Sequence, residues 1–123
     1  MTPDTALQLL IDERDIHNLV SAYSQAVSRL DPVAAAALFV TDGTLDVVGN
    51  KLCTRAIIED GMRQTFAQFD MLQMLFHAPC FVVQVDTAQA SWSTAEFAIR
   101  KDGEALNAIF GRYEDDLVRA PDG

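Results

Sequence analysis

Basic residues are scarce in this chain. Nine Lys and Arg stand against 18 Asp and Glu, a formal net charge of -9. With no Lys/Arg cluster to reward phosphate contact, nucleic acid is not an expected partner. The same imbalance argues against an anionic membrane surface. No apolar run approaches the roughly 20 residues that a membrane-crossing helix needs. The opening stretch, MTPDTALQLLIDERD, lacks the basic lead and cleavable apolar segment of a signal peptide, so the cytoplasm is the expected location. Cysteine is limited to Cys53 and Cys80, with no CxxC or Cys/His spacing for a metal. Both are expected to be small buried hydrophobes. Also missing are a Gly-rich phosphate loop, a nucleophile elbow and an HExxH helix. No linker, internal repeat or low-complexity tract divides the 123 residues, which suit one domain.

Half of the residues are hydrophobic, and their spacing is informative. Thr2-Pro3-Asp4 reads as a helix start, with Pro3 at the first helical position. From there to Leu30 the apolar residues Ile16, Leu19, Val20, Tyr23, Val27 and Leu30 form one stripe. Asp31-Pro32 starts a second, alanine-rich helix that runs to about Val40. Thr41-Asp42-Gly43 is a turn and Thr44–Val48 a strand, closed by Gly49-Asn50-Lys51. Thr54 caps a third helix to about Gln68, with Ile57, Ile58, Met62 and Phe66 in phase. Gly61 inside that helix weakens it by about 1 kcal/mol relative to Ala and marks close packing.

Strand signals then take over. A β run surrounds Phe81–Val85, a longer strand covers 87–100, and Asp102-Gly103 centres a hairpin turn. A last strand spans 106–119, followed by a turn at Ala120-Pro121-Asp122-Gly123. Helices first and strands later imply an α+β fold. The expected shape is a cone, in which a curved, mostly antiparallel sheet is covered by the N-terminal helices.

These residues carry a resemblance. Leu19, Tyr23, Ala26, Asp31, Leu38 and Phe39, then Asp42-Gly43, the Ile57/Met62 helix, the strand Phe81–Val85, and Gly111-x-Tyr113-x-Asp115-x-x-x-Arg119-x-x-Asp122-Gly123 together resemble the SnoaL-like branch of the nuclear transport factor 2-like superfamily. That branch includes scytalone dehydratase-like enzymes, ring isomerases and polyketide cyclases. The resemblance covers nearly the whole chain, 1–123. It implies a pocket for a small, largely apolar molecule, no metal or organic cofactor, and a homo-oligomer, with a dimer favoured. In the family a final strand opening with Trp follows the Asp-Gly turn. The sequence here stops at Gly123, so the expectation is that either this strand follows Gly123 or the sheet lacks that edge strand.

Dehydratase-like members pair an Asp near the end of the first helix with a His on a central strand. The His takes a proton beside an electron-withdrawing group, and the carboxylate orients it. The resemblance implies catalytic roles for His77, Asp31, Ser28 and Tyr23. Counting back from Phe39 puts the family Asp on Ser28, which cannot supply a charge. Asp31 matches a second family Asp, and its other reading is an N-cap. Alignment on Phe81–Val85 puts Phe76 at the usual His position and His77 one residue later. A one-residue slip turns a strand side chain to the opposite face, and a bulge near Pro79 would restore it. Tyr23 either polarises substrate or packs as a core tyrosine.

Phe39, Met62, Phe66, Met74, Trp92 and Phe110 are the expected substrate lining, with core packing as the alternative. Glu96 reads as a spare, solvated carboxylate and Glu114-Asp115-Asp116 as a solvated edge. His17 reads as a boundary residue. Two functions follow: a cofactor-free lyase or isomerase of dehydratase type, or a non-catalytic ligand-binding or dimerisation module.

Overall fold

The computed structural model describes residues 1–47, 49–103 and 105–121. Helix α1 (Pro3–Ser28) leads to α2 (Pro32–Ala36), the strands β1 (Thr44–Val47) and β2 (Asn50–Cys53), and helix α3 (Arg55–Phe66). Three long strands follow: β3 (Phe69–Val83), β4 (Thr87–Arg100) and β5 (Asn107–Val118). They form one antiparallel sheet in the order β3-β4-β5, while β1 and β2 make a separate hairpin. The molecule is an α+β cone: helices cover one face of a long curved sheet.

Local chemistry sets the helix ends. Thr2 caps α1 by accepting from the Thr5 amide at 3.1 Å, with Pro3 in the first turn. At the other end Leu30 N–H donates to Val27 O and Asp31 N–H to Ala26 O, both at 3.0 Å. These two bonds satisfy the last carbonyls in the Schellman pattern, with Leu30 left-handed at φ 55° where glycine is usual. The reversal hands the chain to Asp31, whose carboxylate accepts from the Ala34 amide at 3.0 Å and caps α2. Ala35 and Ala36 are then fully buried. Thr54 caps α3 as expected, and Ile58, Met62 and Phe66 bury one face. A Cβ on Gly61 would meet Leu52 Cδ1 at 2.7 Å, so the glycine does mark close packing, here against the β2 strand.

The sheet alternates cleanly. Ala88, Ala90, Trp92, Thr94 and Ala98 of β4 are buried on the inner face. Pairing of Trp92 with Tyr113 and of Ala90 with Asp115 carries that face onto β5. On β3 the inner residues are Leu72, Met74 and Phe76, and then the register shifts between His77 and Cys80, with Ala78 at φ 52°. The bulge inserts one residue, so the phase inverts and Phe81 and Val83 turn inward instead of Cys80 and Val82.

Helix α1 secures the outer edge of β3. Ser24 Oγ donates to Met74 O at 2.7 Å, and Ser28 Oγ accepts from Met74 N–H at 2.9 Å. One turn of helix thus supplies the partner that a neighbouring strand would give, which blunts an otherwise open edge. A second tie joins distant chain ends. Arg119 donates to Asp12 through two nitrogens at 3.0 Å each and to Val85 O at 2.8 Å. The guanidinium beside Asp12 holds its carboxyl below the usual range.

Several expectations change. The Asn50–Lys51 segment pairs back on β1 as part of β2 rather than closing a single strand. Strand β3 begins at Phe69, well before the apolar run, because its ladder reaches back to Arg100. Cys53 and Cys80 are both exposed, not buried: one ends a surface hairpin and the other follows the bulge. Val48 of the first strand, Glu104 of the hairpin turn and the Asp122-Gly123 turn lie outside the described residues. Among the described residues no helix is long and apolar enough to cross a membrane.

Two outcomes test these ties. Ser28→Ala leaves the Met74 amide without its partner and should lower unfolding stability by about 1–3 kcal/mol, with exposed Gln25→Ala as the near-neutral control in chemical denaturation. Asp12 titrates lower in the folded than in the unfolded state, so its stabilisation is present above the unfolded carboxyl value and vanishes as pH falls through the folded one. The stability gap between the wild type and Asp12→Asn should therefore close in acid melts below about pH 4. A gap that stays constant down to pH 2 would remove the ion pair from the account.

Candidate functional site

The inner wall of the cone is an aromatic and acidic surface. Trp92 is only 2 % exposed and stacks on Tyr113, its cross-strand partner, with ring centroids 4.4 Å apart and planes 9° apart. Tyr23 of α1 meets both edge-on, at 6.2 Å from Trp92 and 6.0 Å from Tyr113, and Phe39 lies 6.1 Å beyond it. Phe76 packs edge-on against Trp92 at 5.9 Å and against His17 at 5.4 Å. These offset and edge-to-face pairs fill the middle of the cone.

Two carboxyls flank the tyrosines. Asp115 sits two residues beyond Tyr113 on the same face, and its Oδ2 accepts from Trp92 Nε1 at 2.7 Å. Burial pushes its carboxyl above the usual range, although the indole N–H opposes this. Glu96, paired with Met74 and Ile109, is also raised by burial and accepts from no described donor. Burial drives the Tyr23 hydroxyl well above the phenol range, and Tyr113 is pushed up to about 12 by burial and then by Glu96. Both tyrosines therefore stay protonated at neutral pH and can donate hydrogen bonds.

Beyond this filled centre a cleft of about 500 Å³ opens between α1, the α2–β1 connection and the β3–β4 end of the sheet. Ile16, Leu19, Phe39, Val83, Ala88 and Leu117 give it an apolar interior. Asp12, Asp15, Arg55, Asp86 and Arg119 also line it and supply its charge. Leu19 lies one helical turn before Tyr23. Ala88 and Leu117 form the sheet rung just outside Ala90 and Asp115. Asp115 and Trp92 lie one and two rungs further along the inner face and do not line the cleft.

The residues expected to carry chemistry are dispersed. Tyr23 belongs to the inner wall. His77 pairs with Ser93 on the outer face and is exposed, because Phe76 holds the inward position and the bulge falls after His77 rather than before it. Asp31 caps α2, and Ser28 is engaged with the Met74 backbone. The His77–Asp31/Ser28 arrangement is therefore not assembled. Of the expected lining, Phe39 borders the cleft. Met62, Phe66, Met74 and Trp92 are buried core, and Phe110 points from the outer face at 75 % exposure. Tyr113, Asp115 and Glu96 are the inner-wall residues that the sequence reading left aside. The signal for them was parity: Trp92, Thr94 and Glu96 alternate in phase on β4, and Gly111, Tyr113 and Asp115 on β5. The acidic neighbours Glu114 and Asp116 masked it by making the segment resemble a solvated run.

The fold has many solved counterparts. A proposed aromatic ring hydroxylase from Novosphingobium aromaticivorans superposes with a TM-score of 0.86 at 24 % identity, over 93 % of this chain and 82 % of that one. A proposed scytalone dehydratase from the same organism gives 0.84 at 18 % identity, over 91 % and 76 %. A proposed dehydratase of the nuclear transport factor 2-like family from Streptomyces avermitilis gives 0.77 at 18 % identity, over 99 % and 91 %. At these identities the likeness is one of fold. No curated protein sequence matches the chain. The SnoaL-like domain family matches residues 8–123, and the chain belongs to that family.

Proposed function

We propose that this protein binds a small, largely apolar molecule in the cleft between α1 and the inner face of the sheet. One observation carries the reading: a cleft of about 500 Å³ lies between α1 and the end of the sheet, with an apolar lining that includes Leu19, Phe39 and Leu117 and with charged groups that include Asp12 and Arg119. Sites of this size, mostly apolar with a few convergent polar groups, are the usual form of small-molecule pockets.

A second reading, cofactor-free acid–base catalysis of lyase or isomerase type, is favoured by two desolvated carboxyls on separate rungs of the inner face. Asp115 and Glu96 are desolvated beside two tyrosines that remain proton donors. A carboxyl raised by burial has its proton-transfer equilibrium closer to neutrality, which suits a general acid or base. In this reading Tyr23 polarises the substrate oxygen. His77 takes no part, since it faces away from the cleft on the far side of the sheet.

The outer face supports the expected homodimer. Leu75, Ala95 and Phe110 align on one rung, with Leu75 47 % and Phe110 75 % exposed.

Ring alcohols and ketones screened by thermal shift and calorimetry should yield binders. Leu19→Trp, which fills the cleft from α1, should weaken a binder at least about tenfold while leaving the melt near wild type. Unchanged affinity in that variant would place the guest elsewhere. If a substrate is found, His77→Ala should turn over at the wild-type rate and Asp115→Asn should lose about a hundredfold or more, the scale of a positioned acid or base. The reverse ranking would restore the histidine.

A further inference from the structure

We propose that Arg55 is the recognition residue of this cleft and that it selects guests whose apolar body bears a carboxylate, bound by its guanidinium as an ion pair. The inference rests on the pocket reading above and names the chemistry that the pocket prefers.

Arg55 is tied to the cleft wall at two points. It opens α3, and its amide donates to Thr41 O at 2.9 Å. Its side-chain Nε donates to Phe39 O at 2.7 Å. Arg55, Phe39 and Thr41 all line the cleft. A guanidinium is planar and carries five N–H donors in a rigid fork. Fixing Nε therefore holds the whole group beside Phe39, although the residue is exposed. Among the described residues, the two terminal nitrogens meet no acceptor and no carboxylate pairs with Arg55. Two parallel N–H groups match the two oxygens of a carboxylate.

The other cation of the cleft is already engaged. Arg119 gives two nitrogens to Asp12 at 3.0 Å each and also bonds Val85 O, and its Nε lies 3.6 Å from Asp86. Asp12 first, then Asp86 and Asp15, hold the Arg119 proton more firmly than usual. These are the three carboxyls that line the cleft, and all of them act on this one guanidinium. Arg119 is thus held by α1 and the β3–β4 connection, whereas Arg55 is held by the α2–β1 connection. The charges of the lining are sorted between these walls. Ile16, Leu19 and Leu117 offer the hydrocarbon body of a guest its apolar surface, and Arg55 offers its anionic group a counter-charge.

The overall charge of -9 works against an anionic guest. At about 0.1 M salt that long-range repulsion fades beyond roughly 10 Å, and a contact pair persists. A neutral amide of the same shape gains nothing from the cation, so Arg55 discriminates between the two.

The test uses a matched pair on one skeleton, naphthoate and naphthamide, titrated calorimetrically into the wild-type protein near neutral pH. In about 0.1 M salt naphthoate should bind at least about fivefold more tightly, the upper range of an exposed ion pair. The preference should shrink in about 1 M salt. In Arg55→Gln the two affinities should converge to within about twofold, chiefly through loss of naphthoate affinity. Arg55→Lys, which keeps the charge and loses the fork, should retain part of the preference. Equal affinities of both compounds for the wild type, or a preference for the amide, would overturn the role of Arg55 and leave the pocket standing. Binding of neither would overturn the pocket reading as well. A preference that survives in Arg55→Gln would also overturn the assignment. The wild-type comparison needs no variant, so a fold defect in a variant cannot shield the proposal.

Discussion

The grip of α1 on the free edge of β3 is the constraint on which the rest depends. Ser24 and Ser28 sit one turn apart and take up both polar groups of Met74. That contact fixes the height and rotation of the helix over the sheet. From it follow the inward aim of Tyr23, the burial of Val20 and Val27, and the space left at the N-terminal half of the helix. The bidentate Asp12–Arg119 pair then anchors that half to the end of β5 and the β3–β4 connection. A helix held at its C-terminal end by serines and at its N-terminal half by an ion pair spans the inner face without filling it.

The same arrangement explains why the centre of the cone is solid and its end is open. Trp92, Tyr113, Tyr23, Phe76 and Phe39 interlock between the helices and the middle of the sheet. Toward the β3–β4 connection the inner residues of β4 shrink to Ala90 and Ala88, flanked by Phe81 and Val83 of β3, and Ile16 and Leu19 of α1 line the cleft there with Ala88 and Val83. The interlocked aromatics fill the centre, and the cleft lies beside the smaller residues at the end of β4. Its charged groups come from α1, α3, the β3–β4 connection and the end of β5 rather than from a His–Asp pair.

Much of this was legible in the chain itself. The N-terminal helix with its Pro3 start, the Asp31-Pro32 restart, the Thr54 cap and the late strands follow from capping chemistry and periodicity, which act locally. What was not legible turns on long-range register. Whether Phe76 or His77 faces inward depends on where the bulge falls between His77 and Cys80, and a shift of one residue reverses every side chain beyond it. Ser28 shows the same limit. Its spacing from Phe39 identified the position, but only the approach of β3 shows that its hydroxyl is spent on a backbone amide. Asp115 was hidden by its acidic neighbours, because a run of like charges resembles a solvated face until a partner strand gives it a phase. The cysteines were misplaced for a related reason: surroundings that are apolar in sequence can still alternate outward in a strand.

The proposed guest occupies the cleft between α1 and the Val83–Ala88–Leu117 rung of the inner face. The most direct measurement is amide and side-chain NMR of the labelled protein during titration with naphthol. Saturable shifts should concentrate at Leu19, Phe39, Ala88 and Leu117, with Leu75, Ser93 and Phe110 on the outer face unmoved. Shifts confined to the outer face would contradict that placement.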